Sequence, residues 1–210
     1  MWLVTAGPTR EHLDEVRYLS NASSGRMGYA IARAAAGRGH RVVLVSGPVA
    51  LAEPEGVLLR QVSSACEMLQ AARVEIEGGR FEALIGAAAV CDFRPAQRLP
   101  GKPSKEQGAR RLALVGNPDV VAELAGRAGF ALGFALEDLG DLEAAEARAR
   151  AKLERKGLDA MVLNGVEAID AEQHRAWWLP RGGATELLGS LPKAALAGEL
   201  VRRIEAALER

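Results

Sequence analysis

Cysteine is scarce in this chain. Two are present among 210 residues, Cys66 and Cys91. They are too few for a disulfide framework and too far apart for metal-ligand spacing. That scarcity points to a reducing compartment, the cytoplasm. Net charge is missing as well: 27 Lys+Arg face 27 Asp+Glu. The basic excess that marks a nucleic-acid-binding chain is therefore absent. No long run of one sign forms a charged tail. No apolar run approaches the length of a bilayer span, and no membrane partner is expected. No basic stretch followed by an apolar core marks a secretory signal. The three histidines, His12, His40 and His174, are scattered. No nucleophile-elbow pattern accompanies them, so a Ser/His/Asp hydrolase has no motif in its favour.

What is present is apolar and punctuated. Hydrophobic residues make up 49% of the sequence, enough for a real core, and the length fits one domain over 1–210. Trp2-Leu3-Val4 reads as a buried strand. An Ala-rich helix begins at Met27 and stops near Gly37 and Gly39. Residues 41–46 form a second strand, closed by Gly47-Pro48. Strand, helix and strand in so short a span make a βαβ unit with parallel strands and a right-handed crossover. Ser63-Ser64 opens a helix to about Glu77, with Met68, Ala72 and Ile76 on one face. Residues 83–90 are a further strand and its exit. From Cys91 to about Arg111 periodicity disappears, broken by Pro95, Pro100, Gly101, Pro103 and Gly108. Long irregular loops of this kind are commonly functional. Residues 112–115 read as a short strand. Asn117 reads as the cap of a helix with Pro118 in its first turn. Strands follow at 131–135 and 160–164, on either side of a charged helix at 142–156 ended by Gly157. Trp177-Trp178 and Gly182-Gly183 suggest an antiparallel hairpin over about 172–192. Its adjacent tryptophans face opposite ways, which allows one to enter the core and the other an interface. A last helix covers about 193–208.

This alternation defines an α/β chain: a Rossmann-like three-layer sandwich with a central, mostly parallel sheet and a C-terminal β-hairpin addition. Ligands on such sheets bind beyond the carboxyl ends of the strands. The loops after Val4, Ser46, Ala89, Ala135 and Leu163 would gather there. The first of them leads into the first helix, so Ser23, Ser24 and Gly25 sit at a helix start. Free N–H groups and the positive dipole end favour an anion there. Small residues let a phosphate or carboxylate approach the backbone. The plainer alternative makes Ser23 or Ser24 an N-cap and Gly25 a turn.

The same loops carry a resemblance. It rests on Thr5-Ala6-Gly7-Pro8-Thr9-Arg10, on Val16-Arg17-Tyr18-Leu19-Ser20-Asn21-Ala22-Ser23-Ser24-Gly25-Arg26-Met27-Gly28 and on Ser46-Gly47-Pro48-Val49. Further on come Ala87-Ala88-Ala89-Val90-Cys91-Asp92-Phe93-Arg94-Pro95-Ala96, Asn117-Pro118-Asp119 and Gly133-Phe134-Ala135. Over nearly its whole length the chain resembles phosphopantothenoylcysteine synthetase, the ligase part of the DNA/pantothenate metabolism flavoprotein family. With Met1 directly before the first strand, a stand-alone synthetase, or one half cut from a fusion, is expected. A separate flavin-dependent decarboxylase would then be its partner. The resemblance implies that 4'-phosphopantothenate is joined to cysteine with CTP and magnesium, through an acyl-cytidylate, in a homodimer. ATP remains open as the nucleotide, and no side chain is singled out as a magnesium ligand.

The resemblance also assigns residues. Ser24, Gly25, Met27 and Gly28 would offer N–H groups to the nucleotide phosphates. Asn21 matches the asparagine that contacts the acyl-cytidylate; the plainer reading is an Asx turn. Asp92, preceded by Ala89 at the strand end, matches the position that reads the base. A carboxylate there accepts from an exocyclic amine. Lys102 aligns with the first lysine of a Lys-x-Lys-Lys motif that closes over the site, where it would balance phosphate charge. Here the segment reads Lys102-Pro103-Ser104-Lys105, one lysine short. Asn117, Pro118, Asp119 and Val120 match a nucleotide-contacting turn, and Phe134 would pack by the base or ribose; the plainer reading is a core aromatic at a strand end. Lys152 and Lys156, four apart on one helix face, would reach the triphosphate; unaided they read as a solvated face. The linker between Glu137 and Lys152 is a few residues longer than the family pattern.

Two rivals stand beside the ligase. An NAD(P)-dependent oxidoreductase would share the sheet. However, Gly7-Pro8-Thr9 lacks the spaced glycines of a dinucleotide fingerprint, and neither Tyr18 nor Tyr29 is followed four positions later by lysine. A nucleotide-binding scaffold without turnover is motivated by the altered lysine segment.

Overall fold

The near-continuous apolar runs become strands because both of their faces are covered. In the computed structural model, which describes residues 1–76, 79–104, 106, 111–168 and 173–209, they form an eight-stranded sheet. In chain order its strands are β1 (Trp2–Ala6), β4 (Val42–Ser46), β5 (Val57–Gln61), β6 (Phe81–Gly86), β9 (Ala128–Glu137), β10 (Ala160–Gly165), β11 (Gln173–Pro180) and β12 (Glu186–Pro192). Across the sheet the order is β12-β11-β10-β9-β6-β1-β4-β5. The pairings from β10 to β5 are parallel, and β11 runs antiparallel to β10 and to β12. Two short ribbons lie outside this sheet: β2 (Arg10–His12) with β3 (Tyr18–Ser20), and β7 (Phe93–Pro95) with β8 (Leu114–Gly116).

Alternation along the strands divides the core in two. Trp2 and Val4 face one layer and Leu3 the other; Val42 and Leu44 oppose Val43 and Val45; Val162 opposes Met161 and Leu163. The first layer is closed by α1 (Arg26–Gly37) and α5 (Lys193–Leu208), through Ile31, Ala35, Leu200 and Ile204. The second is closed by α2 (Ala65–Glu75), α3 (Val120–Ala125) and α4 (Leu142–Lys156), through Met68, Leu124 and Leu153. The three-layer α/β arrangement with a hairpin addition is therefore present as expected, and α4 and α5 lie where the sequence places them.

Local chemistry sets the helix ends. Ser64 accepts from Glu67 N while Glu67 Oε2 accepts from Ser63 N, a reciprocal cap. Asp141 caps α4 through Ala144 N, and Gly157 closes it. The end expected near Glu77 lies outside the described residues, as do Lys105 and Gly108. Asn117 is not the cap of α3. Asp119 is, accepting from Ala122 N at 3.2 Å, because Asn117 is engaged elsewhere. The segment expected to be wholly irregular contains β7, whose three residues are too few to show a period. β2, β3 and β5 are likewise found where the sequence had suggested no strand.

The hairpin corrects a second expectation. Trp177 and Trp178 do face opposite ways, but both are buried. β11 is an inner strand with helices on both of its faces, so Trp178 stacks near Phe130 while Trp177 joins the α4 layer.

At the far end of the sheet Arg38 and His40 converge on Glu205 of α5. The guanidinium lies 2.6 Å from Oε2 and His40 Nε2 2.8 Å from Oε1. The Arg38 hydrogen bond holds the Glu205 carboxyl below its ordinary range against opposing burial, and His40 adds to it. A lowered carboxyl contributes stability that is complete above its unfolded pKa and is lost as pH falls through its folded one. Glu205→Gln should therefore destabilise the protein at pH 7. The gap from the parent should close as pH drops below about 4, as urea unfolding at a series of pH values would read.

Candidate functional site

The site is built where three strand exits cross. β1 leaves through Gly7-Pro8, β4 through Gly47-Pro48, and β6 through residues 87–92. Ala89 N donates to Gly7 O at 2.9 Å, and Pro8 pairs with Ala89 as an isolated parallel bridge. A Cβ on Gly47 would lie 1.8 Å from Pro8 O, and one on Gly28 would lie 2.5 Å from the Ala6 Cβ. Glycine is required at both positions by contact with fixed neighbours. α1 is thereby pressed directly onto the end of β1.

Gly25 is the N-cap of α1, in the left-handed region at φ 74, and no side chain caps the helix. Ser23 and Ser24 are thus not N-caps; Ser23 Oγ accepts only from Gly25 N, at 3.4 Å. The first-turn N–H groups are left to whatever enters the crevice.

That crevice has a volume of about 710 Å³. Ser24, Gly25, Met27, Ala89, Asp92, Phe134, Lys152 and Lys156 line it. Beside it a smaller hollow of about 260 Å³ is lined by Asn117, Pro118, Asp119 and Val120, with Asp92, Phe134 and Lys156 shared between the two. Asn21 sits at the rim of the larger cavity. Gly28 lies beneath it without lining it. Lys102 is exposed and lines neither cavity. Gly101 O instead accepts from Glu15 N, which ties that segment to the turn of the β2–β3 ribbon.

The polar groups are held, not loose. Asn21 Nδ2 donates to Ala89 O at 3.2 Å and Val90 O at 3.1 Å. It therefore clamps the β6 exit, where an Asx turn would have bonded its own backbone, and Oδ1 is left for the crevice. Asn117 Nδ2 donates to Cys91 O and its Oδ1 accepts from Arg94, so its side chain stitches two loops together. The Asp92 carboxylate has no partner among the described residues. Lys156 pairs with Asp119 at 3.0 Å and Lys152 with Glu137 at 2.5 Å. The two lysines are an anchored pair, not a solvated face. Cys91 is buried, and burial pushes its thiol up, away from nucleophilic use.

The ribbon carrying Asn21 has its own anchors. Burial would raise the Asp14 carboxyl, but the N–H groups of Arg17 and Val16 and the Arg17 guanidinium outweigh it and hold it at about 2. Glu11 Oε1 accepts from Ala65 N at 2.9 Å, joining β2 to the start of α2.

Two buried polar residues escaped the sequence reading: Asn164, which lines the crevice, and Glu137, which stands behind Lys152 without lining it. Glu137 ends β9, Asn164 is the last residue but one of β10, and both are 8% exposed. Asn164 Oδ1 is buried with no partner. The legible signal was a polar residue closing an otherwise apolar run.

The model of the DNA/pantothenate metabolism flavoprotein C-terminal domain matches residues 1–208. The chain belongs to that family. The coenzyme A biosynthesis bifunctional protein CoaBC of Vibrio vulnificus is 39% identical over 97% of this chain and 51% of its own length. The CoaBC of Mycobacterium bovis is 40% identical over 96% and 51%. The chain thus spans about half the length of these relatives. A crystal structure of a CoaBC C-terminal domain superposes with a TM-score of 0.81 at 34% identity, over 99% of this chain and 95% of that one. A family structure from Streptococcus pneumoniae gives 0.81 at 24% identity, over 98% of each chain, and shows the shared fold. In this family member the glycine crossing is the feature most exposed to mutation. Gly47→Ala should lose at least about 2 kcal/mol by collision with Pro8. Gly198→Ala, in α5 with open space around it, should gain up to about 1 kcal/mol. Thermal unfolding of the two variants checks both.

Proposed function

We propose that this chain is a phosphopantothenate–cysteine ligase of coenzyme A biosynthesis. CTP is its nucleotide, magnesium its ion and the cytoplasm its compartment. The observation that carries the reading is convergence: residues from five separated stretches, assigned by resemblance, line one crevice at the carboxyl end of the sheet. In the proposed reaction the substrate carboxylate attacks the α-phosphorus of CTP, and pyrophosphate leaves with the bonding electrons. The cysteine amine then attacks the acyl carbon of the mixed anhydride, CMP departs and an amide remains.

The chain's own residues would work mainly by holding and balancing charge. The start of α1, at Ser24, Gly25 and Met27, offers its backbone to phosphate oxygens, with Gly28 packed beneath as the seat of the helix. Lys152 and Lys156 offset their charge. Asn21 Oδ1 orients the acylated intermediate, while its amide keeps the β6 exit in place. Asp92, unpartnered, accepts the exocyclic amine of the base, with Phe134 alongside. Asn164 Oδ1 awaits a donor from the ligand. Among the described residues no group of three or more His, Cys, Asp or Glu side chains is gathered for a metal. Magnesium suits such a site, since it commonly takes most of its ligands from phosphate and water.

A homodimer is part of the same proposal. Val16, Tyr18, Phe93 and Leu114 are large apolar side chains exposed on the two short ribbons, a surface suited to a second copy. A monomer mass that stays constant across dilutions in light scattering would contradict it. A separate flavin-dependent decarboxylase would supply the neighbouring step. The second reading, a nucleotide-binding homologue without turnover, draws on Lys102 standing off the crevice.

Pyrophosphate release decides between them. With 4'-phosphopantothenate and magnesium, the chain should release pyrophosphate with CTP faster than with ATP and should form CMP only when cysteine is added. Nucleotide binding without release under any combination would move the chain to the scaffold reading. Asn164→Leu should raise Tm by relieving the unpaired acceptor, worth about 1 kcal/mol, and should weaken CTP binding in calorimetry.

A further inference from the structure

Glu137 is the last residue of β9, and the sequence marks it only by its charge. Burial alone would push its carboxyl up. Hydrogen bonds from Lys152 and Arg148 outweigh that and hold it below the ordinary range. The two donors divide the carboxylate between them. Lys152 Nζ lies 2.5 Å from Oε1, and Arg148 Nε lies 2.7 Å from Oε2. Both donors come from α4, one turn apart. Lys152 opens on the crevice; Arg148 does not line it and is half exposed.

Packing does not require this arrangement. Ala145, Ala149 and Leu153 already seat α4 on the sheet. The Glu137 carboxylate is buried and its two donors are partly exposed, so the pairing satisfies the carboxylate but does not dictate which cations supply it. Its effect is on direction. A lysine without Glu137 has a flexible four-carbon stem and a strongly hydrated head, and it would spend its time in solvent. An ammonium has three N–H donors. One is given to Oε1, and two are left for an anion in the crevice. Arg148 occupies the second oxygen, so the carboxylate cannot turn. Its charge also offsets that of a carboxylate standing near incoming phosphate.

We propose that Glu137 is a positioning residue for the ligase: it fixes the Lys152 ammonium at the mouth of the crevice, aimed at the nucleotide phosphates, and does not itself touch substrate. This rests on the reading of Lys152 as a phosphate contact. The consequence is that Glu137 acts only through Lys152.

A double-mutant cycle on the full chain tests it, reading CTP affinity with magnesium by calorimetry and KM and kcat by pyrophosphate release. Glu137→Gln should raise Kd and KM for CTP about three- to tenfold, with a smaller change in kcat. Lys152→Met should raise them at least as much. The double variant should be no worse than Lys152→Met alone. Losses that multiply would overturn the proposal, since Glu137 would then act by another route. Parent-like CTP binding by Glu137→Gln, with Lys152→Met weakened, would also overturn it while leaving the role of Lys152 intact. Parent-like binding by Lys152→Met would remove both. Should Glu137→Gln fail to fold, the parent still answers. A held Lys152 ammonium, assigned with Lys152→Met, should give a resolved 15N resonance before and after CTP is added. Its absence from both spectra would overturn the proposal.

Discussion

Three backbone segments can cross at the top of the sheet only because side chains are missing there. Gly47 lies against the Pro8 carbonyl, and Gly28 sets the first turn of α1 on Ala6. Everything above depends on that contact. The uncapped helix start, the Asn21 clamp on the β6 exit and the walls of the crevice are all positioned from it. A side chain at either glycine would lift α1 from β1 and separate groups that now share a cavity. The constraint is steric and rigid, which suits the proposed task of holding charged groups at fixed distances.

Above this crossing the site is organised by charge. The chain as a whole is neutral, yet the crevice gathers cations on α4. Each proposed phosphate-binding lysine already has a carboxylate: Glu137 for Lys152 and Asp119 for Lys156. Such pairing restrains long side chains before a ligand arrives, which reduces the ordering cost at binding. It also keeps the empty crevice from accumulating unbalanced positive charge.

Much of this was legible in the sequence, and the limits have physical causes. Parallel strands covered on both faces appear as unbroken apolar runs, so β1, β4, β6, β9 and β10 were visible. β5 was not, because it is a half-covered edge whose residues are mostly polar or exposed. β2, β3 and β7 have three residues each, too short for any period. Asn117 and Asp119 are equally good caps on paper; which one serves depends on Asn117 being drawn to Cys91 by a loop 26 residues away. The loops that form the crevice were named correctly, since strand polarity alone sends them to one edge. Glu137 and Asn164 were passed over because their meaning lies in burial. Lys102 aligned with a family lysine, but its chain segment runs toward the β2–β3 ribbon and away from the crevice.

The tryptophans have a practical consequence. All three are buried in the sheet and its layers: Trp2 stacks on His40, Trp178 stacks near Phe130, and Trp177 lies beneath Arg175. None lines the crevice. Their emission follows the integrity of the sheet and is silent about what the crevice holds. The molecule therefore carries an optical gauge of its own folding whose rings stand apart from the crevice.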